Sequence, residues 1–164
     1  MSEYFFNFDK LNYIKSPKPE GCILCLLAEK SDQVVDLIVW ENDSFMVTVN
    51  LYPYNPAHLL IAPKRHITDI REMTPSEEDT CTTLQRRFLD VLDSLYKPSG
   101  YNIGFNMGLA AGASIHHLHL HMIPRYPHEV GIADLIAGKR VLVESPVRSA
   151  EKIRSQLRQN PFHL

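Results

Sequence analysis

The chain has 164 residues, 17 lysines and arginines against 19 aspartates and glutamates, eight histidines and three cysteines. That length fits one domain with a real core, and a net charge of −2 excludes a surface built for nucleic-acid backbones while leaving room for one small nucleotide. No run approaches the roughly 18 apolar residues of a membrane span, MSEYFFNFDK lacks the regions of a signal peptide, and three cysteines are too few for a disulfide scaffold, so a cytoplasmic chain is expected.

Residues 1–20 read as an extended lead-in, with Pro17 and Pro19 blocking any helix. Cys22 to Ala28 is an apolar stretch sized for a helical turn. Val34–Trp40 and Phe45–Val49 are β-branched and aromatic, and Glu41–Ser44 between them is turn chemistry, so a hairpin is expected. Leu51–Pro56 is a proline-stiffened loop, and His58–Ala62 a short strand. Thr74 starts the clearest helix: Pro75 suits its first position and Glu77 completes a capping box. Leu84, Phe88, Val91, Leu92 and Leu95 give it one apolar face, and Pro98-Ser99-Gly100 ends it. Tyr101–Met107 is a strand, Gly108–Gly112 a small-residue loop, and Ile115–Ile123 a strand closed by Pro124. Val141–Val143 is a short apolar run. Ser145 or Ser149 caps a C-terminal helix ending near Gln159, making 145–164 a helical tail. Short connections between strands imply antiparallel pairing. The fold expected is α+β: a single antiparallel sheet of about five strands with one long and one terminal helix, in one domain over residues 1–164.

Four of the eight histidines fall at 116–121. His117, His119 and His121 alternate with Leu118, Leu120 and Met122, so on a strand the three imidazoles share one face. A solvated strand face accommodates one or two histidines but gives no reason for three in register. Two chemical readings fit. The three hold a catalytic metal with one open position, or one is a nucleophile on phosphorus, since imidazole with a pKa near 6.5 is largely neutral at physiological pH. The Gly108–Ser114 loop offers backbone N–H groups and the Ser114 hydroxyl to phosphate oxygens. Cys22-Ile23-Leu24-Cys25 is a C-x-x-C that suits buried thiols, a redox pair or half of a zinc site; His117 with either His58 or His66 supplies the other half. Cys81 reads as a core thiol. His116, His128 and His163 read as surface residues, His116 pointing away from the triad.

His117-Leu118-His119-Leu120-His121-Met122-Ile123 with Pro124-Arg125 resembles the motif of the histidine triad (HIT) family. Asn106-Met107-Gly108, Gly112-Ala113-Ser114 and the block from Asn50 to His66 add to it. The likeness spans roughly residues 20–145 and is greatest to the bacterial diadenosine tetraphosphate phosphorylases and hydrolases. It implies a catalytic set of His119, His121, His117 and Ser114. His119 would be the nucleophile that forms a covalent nucleotidyl-histidine, and His121 would contact the phosphate. Asn50 matches the ribose contact; Asn106, Gly112, Ser114 and His121 match contacts to the phosphate chain. The family's layout also implies structural zinc on Cys22, Cys25, His66 and His117, with His58 facing the nucleotide, and a homodimer. Ile38, Trp40 and Val49 are expected to hold the base.

The function implied is hydrolysis or nucleotidyl transfer on dinucleoside polyphosphates. Hydrolysis of nucleoside phosphoramidates, or nucleotide binding with little turnover, are the alternatives. Nucleic acid and membrane are not expected as partners. The phosphorylase branch carries Trp and a Gly-Asp-x-Asn-Phe stretch where this chain has Tyr126–Ile132, so hydrolysis is expected over phosphorolysis.

Overall fold

The computed structural model describes residues 19–127 and 144–164. Most of the lead-in, His128 with the rest of the segment to Ile132, and the Val141–Val143 run lie outside them. Among the described residues there are three α-helices and five strands: α1 (Ile23–Ala28), β1 (Ile38–Glu41), β2 (Phe45–Val49), β3 (Leu59–Pro63), α2 (Pro75–Tyr96), β4 (Gly100–Phe105), β5 (Leu120–Arg125) and α3 (Pro146–Gln159). The strands form one sheet in the order β1-β2-β3-β5-β4, antiparallel throughout. The expected α+β architecture is the one observed.

The caps are those the sequence prescribes. Thr74 Oγ1 accepts from the Glu77 N–H and the Glu77 carboxylate accepts from the Thr74 N–H, with Pro75 first in α2. Lys97 takes a left-handed conformation as α2 ends. Ser145 caps α3. Asn42 Oδ1 accepts from the Ser44 and Phe45 amides and so closes the β1–β2 turn.

The two sheet faces are covered differently. On one, Leu84, Phe88 and Leu92 of α2 and Ala150, Ile153 and Leu157 of α3 bury Phe45, Val47, Val49, Leu59, Ile61, Leu120 and Met122. Trp40 stacks on Phe162 beyond α3, with ring centroids 5.5 Å apart. On the other, among the described residues, short α1 covers one corner, packing Leu24 and Leu27 on Ile38, Met46 and Ala62. The rest of that face carries His121, opposite Leu60 in the β3–β5 register. This division positions everything that follows.

Three expectations need correction. The first strand starts at Ile38, not Val34: the Asp36 carboxylate accepts the Ile38 amide, and the Arg154 guanidinium ties the Asp36 and Ile38 carbonyls to α3, so this segment serves the helix, and Val35 is exposed. The histidine strand starts at Leu120, not Ile115. Pro63 has no N–H to extend the ladder, and its carbonyl accepts from the His117 ring, while Leu118 N–H bonds the Ile67 carbonyl. Finally, β5 runs through Pro124 to Arg125. The Pro124 carbonyl lies beyond the start of β3 and accepts from Asn55 Nδ2 at 2.6 Å, so the ring interrupts no pairing with β3.

Candidate functional site: a Cys/His cluster beside a histidine chain

Cys22 caps the N-terminal end of α1 and Cys25 sits one turn along it. His66 follows β3, and His117 lies just before β5. The fold brings their ligand atoms within 4.8 Å of one another. Cys22 Sγ lies 3.3 Å and Cys25 Sγ 3.5 Å from His117 Nδ1, and Cys25 Sγ lies 3.3 Å from His66 Nδ1. Tetrahedral bonds of about 2.3 Å to sulfur and about 2.0 Å to nitrogen place such ligands about 3.5 Å apart. The His117 Nε2–H donates to the Pro63 carbonyl at 2.8 Å, which leaves Nδ1 as the bare nitrogen a metal requires and fixes the ring. Burial and the adjacent Cys22 thiol push the Cys25 thiol up to about 11, so that sulfur becomes a thiolate readily only around a cation. The donor set fits a divalent metal, and His66 rather than His58 completes it.

His58 belongs to a second group. Its Nε2 lies 2.9 Å from His121 Nδ1, and its Nδ1 faces the Tyr54 amide at 3.2 Å and Asn50 Nδ2 at 3.3 Å. Asn106 Nδ2 stands 3.4 Å from His121 Nε2, and the His119 and His121 rings are 4.7 Å apart. The His119 Nδ1–H donates to the His117 carbonyl at 2.7 Å, so Nε2 carries the lone pair. Burial lowers the pKa of His119. It also lowers His121, to about 4, with His119 adding repulsion, and His58, to about 3, with His121 and His119 adding repulsion. The group is therefore neutral near pH 7.

The triad is thus split. The His117 ring turns to the thiols, while His119 and His121 stand together with His58, Asn50 and Asn106. Gly108–Ser114 forms a tight loop, with Gly112 left-handed at φ 86°. The Gly112 N–H donates to Leu109 O and the Ala113 N–H to Gly108 O, so both amides are engaged inside the loop. Ser114 is exposed at its end. A cavity of about 300 Å³ opens beside this loop, lined among others by Asp69, Asn106, Gly108 and His116. His116 is exposed, as expected of a surface residue, and borders this cavity. Ile38, Trp40 and Val49 do not make one slot. Ile38 packs under α1, whereas Trp40 and Val49 join the opposite core, because a bulge between Ile38 and Trp40 shifts the register. His163 is exposed and Cys81 buried, as expected. The Tyr54 amide and the Pro63 carbonyl escape sequence reading, since main-chain groups leave no residue-type signal.

The HIT domain family model matches residues 31–128. An AP-4-A phosphorylase of Mycobacterium tuberculosis is 32% identical over 107 residues, 65% of this chain and 55% of that protein. The asymmetrical bis(5'-nucleosyl)-tetraphosphatase of Schizosaccharomyces pombe is 35% identical over 88 residues, 54% of this chain and 48% of its own. The chain spans about half the length of these curated relatives. A Zn-bound histidine triad family protein from Mycobacterium smegmatis shares the fold at a TM-score of 0.67 and 23% identity, over 85% of this chain and 94% of that one.

Proposed function

The chain belongs to the HIT domain family, and on that premise we propose that it cleaves dinucleoside polyphosphates through a covalent nucleotidyl-histidine. The observation that carries this reading is the 2.7 Å hydrogen bond from His119 Nδ1–H to the His117 carbonyl. It orients the ring and leaves the Nε2 lone pair as nucleophile. His119 Nε2 attacks the α-phosphorus, a P–N bond forms, and the bridging P–O bond breaks with its electron pair leaving on the nucleoside polyphosphate. Water then attacks the same phosphorus, the P–N bond breaks with its electron pair returning to Nε2, and the water's proton passes to solvent as the nucleoside monophosphate leaves. His121 and Asn106 contact the phosphate oxygens, Ser114 stands by the leaving group, and Asn50 meets the ribose.

Zinc on Cys22, Cys25, His66 and His117 would supply a structural cross-link between α1, the end of β3 and the approach to β5, with no part in the bond changes. A Zn-bound protein of this fold and the donor set described above support it. Free cysteines at 22, 25 and 81 suit a reducing cytoplasm. Among the described residues strand β4 is a sheet edge, with Ile103 41% exposed, which supports a homodimer joined there. No helix among the described residues is long and apolar enough to cross a membrane.

The test is incubation with diadenosine tetraphosphate, with and without inorganic phosphate, followed by mass analysis. AMP with ATP in both arms supports hydrolysis, the reading favoured by Tyr126 in place of tryptophan. ADP with ATP only with phosphate gives phosphorolysis, the activity named for the mycobacterial relative. Absence of cleavage in both arms, with diadenosine triphosphate also inert, refutes the proposal.

A further inference from the structure

Two backbone amides decide which nitrogen of His121 carries its proton. The Tyr54 N–H donates to His58 Nδ1 at 3.2 Å. A peptide N–H can only donate, so that imidazole nitrogen must be bare. The Tyr52 N–H donates to Asn50 Oδ1 at 3.1 Å. This sets the Asn50 amide with its NH₂ end toward the same His58 nitrogen, 3.3 Å away, so two donors converge on Nδ1. Neutral imidazole has one proton, and for His58 it therefore sits on Nε2. That nitrogen is 2.9 Å from His121 Nδ1, which must accept. The single proton of neutral His121 is then on Nε2, the nitrogen beside Asn106.

Each step needs neutral rings, and the setting provides them. His58 is completely buried, and its environment and that of His121 hold both well below the ordinary imidazole range. Asn106 presents Nδ2 to this nitrogen as placed; the two ends of an amide are alike in shape, and the His121 proton requires the amide turned with Oδ1 inward, where it accepts until a phosphate oxygen replaces it.

We propose that the turn from Asn50 to His58 is a tautomer-setting device: through Tyr52, Asn50 and Tyr54 it fixes His58 as the Nε2–H form, and through His58 it holds His121 as an Nε2–H donor aimed at the leaving oxygen. His58 is a positioning residue. The proposal rests on the reading above in which His121 contacts the phosphate. The opposite tautomer would aim a lone pair at an oxygen that is gaining negative charge. With the proton on Nε2, His121 offers a hydrogen bond that strengthens as the P–O bond breaks, the kind of fixed donor worth about 10²–10³ in kcat. No proton needs to leave His121, because a polyphosphate departs as its anion.

The tautomers are directly readable. The full chain is labelled with ¹⁵N in its histidine rings, and two-bond nitrogen–proton correlation spectra are recorded near pH 7.5 without substrate. The expected pattern is Nε2–H for His58 and His121 and Nδ1–H for His119. His58→Gln, whose amide NH₂ can still donate to His121 Nδ1, keeps His121 as Nε2–H. His58→Leu lets His121 populate both tautomers and lowers kcat by about 10²-fold with KM little changed, and His58→Gln recovers most of that loss. Nδ1–H at His121 in the unsubstituted chain overturns the proposal, as does an unaltered His121 pattern in His58→Leu. If His58→Leu does not fold, the unsubstituted spectrum decides alone. The expected tautomers in a chain that cleaves no dinucleotide would refute the functional reading and leave the device standing.

Discussion

Acid should unfold this protein through His58, and the size of the effect follows from its environment. An unfolded histidine titrates near 6.5, whereas burial and the facing His121 and His119 hold His58 at about 3. Between those values the unfolded chain binds a proton here and the folded chain does not, so stability rises with pH across that window. The contribution is complete above about pH 6.5 and is lost progressively as pH falls toward 3. At pH 5 the unfolded chain is about 1.5 pH units below its midpoint while folded His58 remains neutral; at about 1.4 kcal/mol per unit, the loss is about 2 kcal/mol. His58→Gln removes the titration while keeping a polar group in the site. Urea unfolding at pH 8 and pH 5, at constant ionic strength, should show the unsubstituted chain losing about 2 kcal/mol more than the variant. Any acid sensitivity of a bound metal is common to both proteins and cancels in the difference. Declines that match to within about 0.5 kcal/mol would refute the assignment of a buried, neutral His58.

His119→Ala should lower turnover by at least about 10³-fold and leave the metal content unchanged, checked by elemental analysis of the same samples. Loss of metal together with activity would instead mean that all three triad histidines are ligands. Cys25→Ser should reduce bound zinc to well under one ion per chain and lower the melting temperature by several degrees; a natural chain that purifies without metal and melts unchanged in chelator rejects the site. Phe162→Ala removes the ring stacked on Trp40 and should cost about 1–3 kcal/mol. Trp40 is the sole tryptophan, so its emission should shift to the red, and an unshifted spectrum rejects the packing. Ile103→Lys should turn a dimer into a monomer by sedimentation; a monomeric unsubstituted chain rejects pairing through β4.

Side-chain patterning made much of this molecule legible. The Thr74–Glu77 box, Pro75 and the apolar face of α2 are local signals that the fold has no reason to override. The C-x-x-C with His117 is visible from residue types, whereas residue types leave His58 and His66 equal and only the family likeness points to His66. Strand limits were harder to read. Alternation continues through His117 and His119, but a strand also needs a partner, and Pro63 ends the partner on the other side of the sheet. The expected base slot failed for a related reason: a single bulge near Val39 moves Ile38 and Trp40 to opposite faces, and nothing in the residue order marks it. The Gly108–Ser114 loop was legible as a run of small residues, yet the use of the Gly112 and Ala113 amides within it depends on backbone conformation. A second capping box, Asp69 with Glu72 around a 3₁₀ turn, leaves no such signal, because three residues carry too little periodicity to stand out.

His117 faces two ways. Its ring enters the Cys22–Cys25 cluster, and its carbonyl grips His119. On the proposed reading, one residue would therefore link the fastening at the metal cluster to the nucleophile. A disturbance at Cys22, 95 residues from His117 along the chain, would then reach His119 through the carbonyl it bonds. Loosening the fastening should then appear first as a blunted nucleophile in a chain that is still folded, before any melting is detectable.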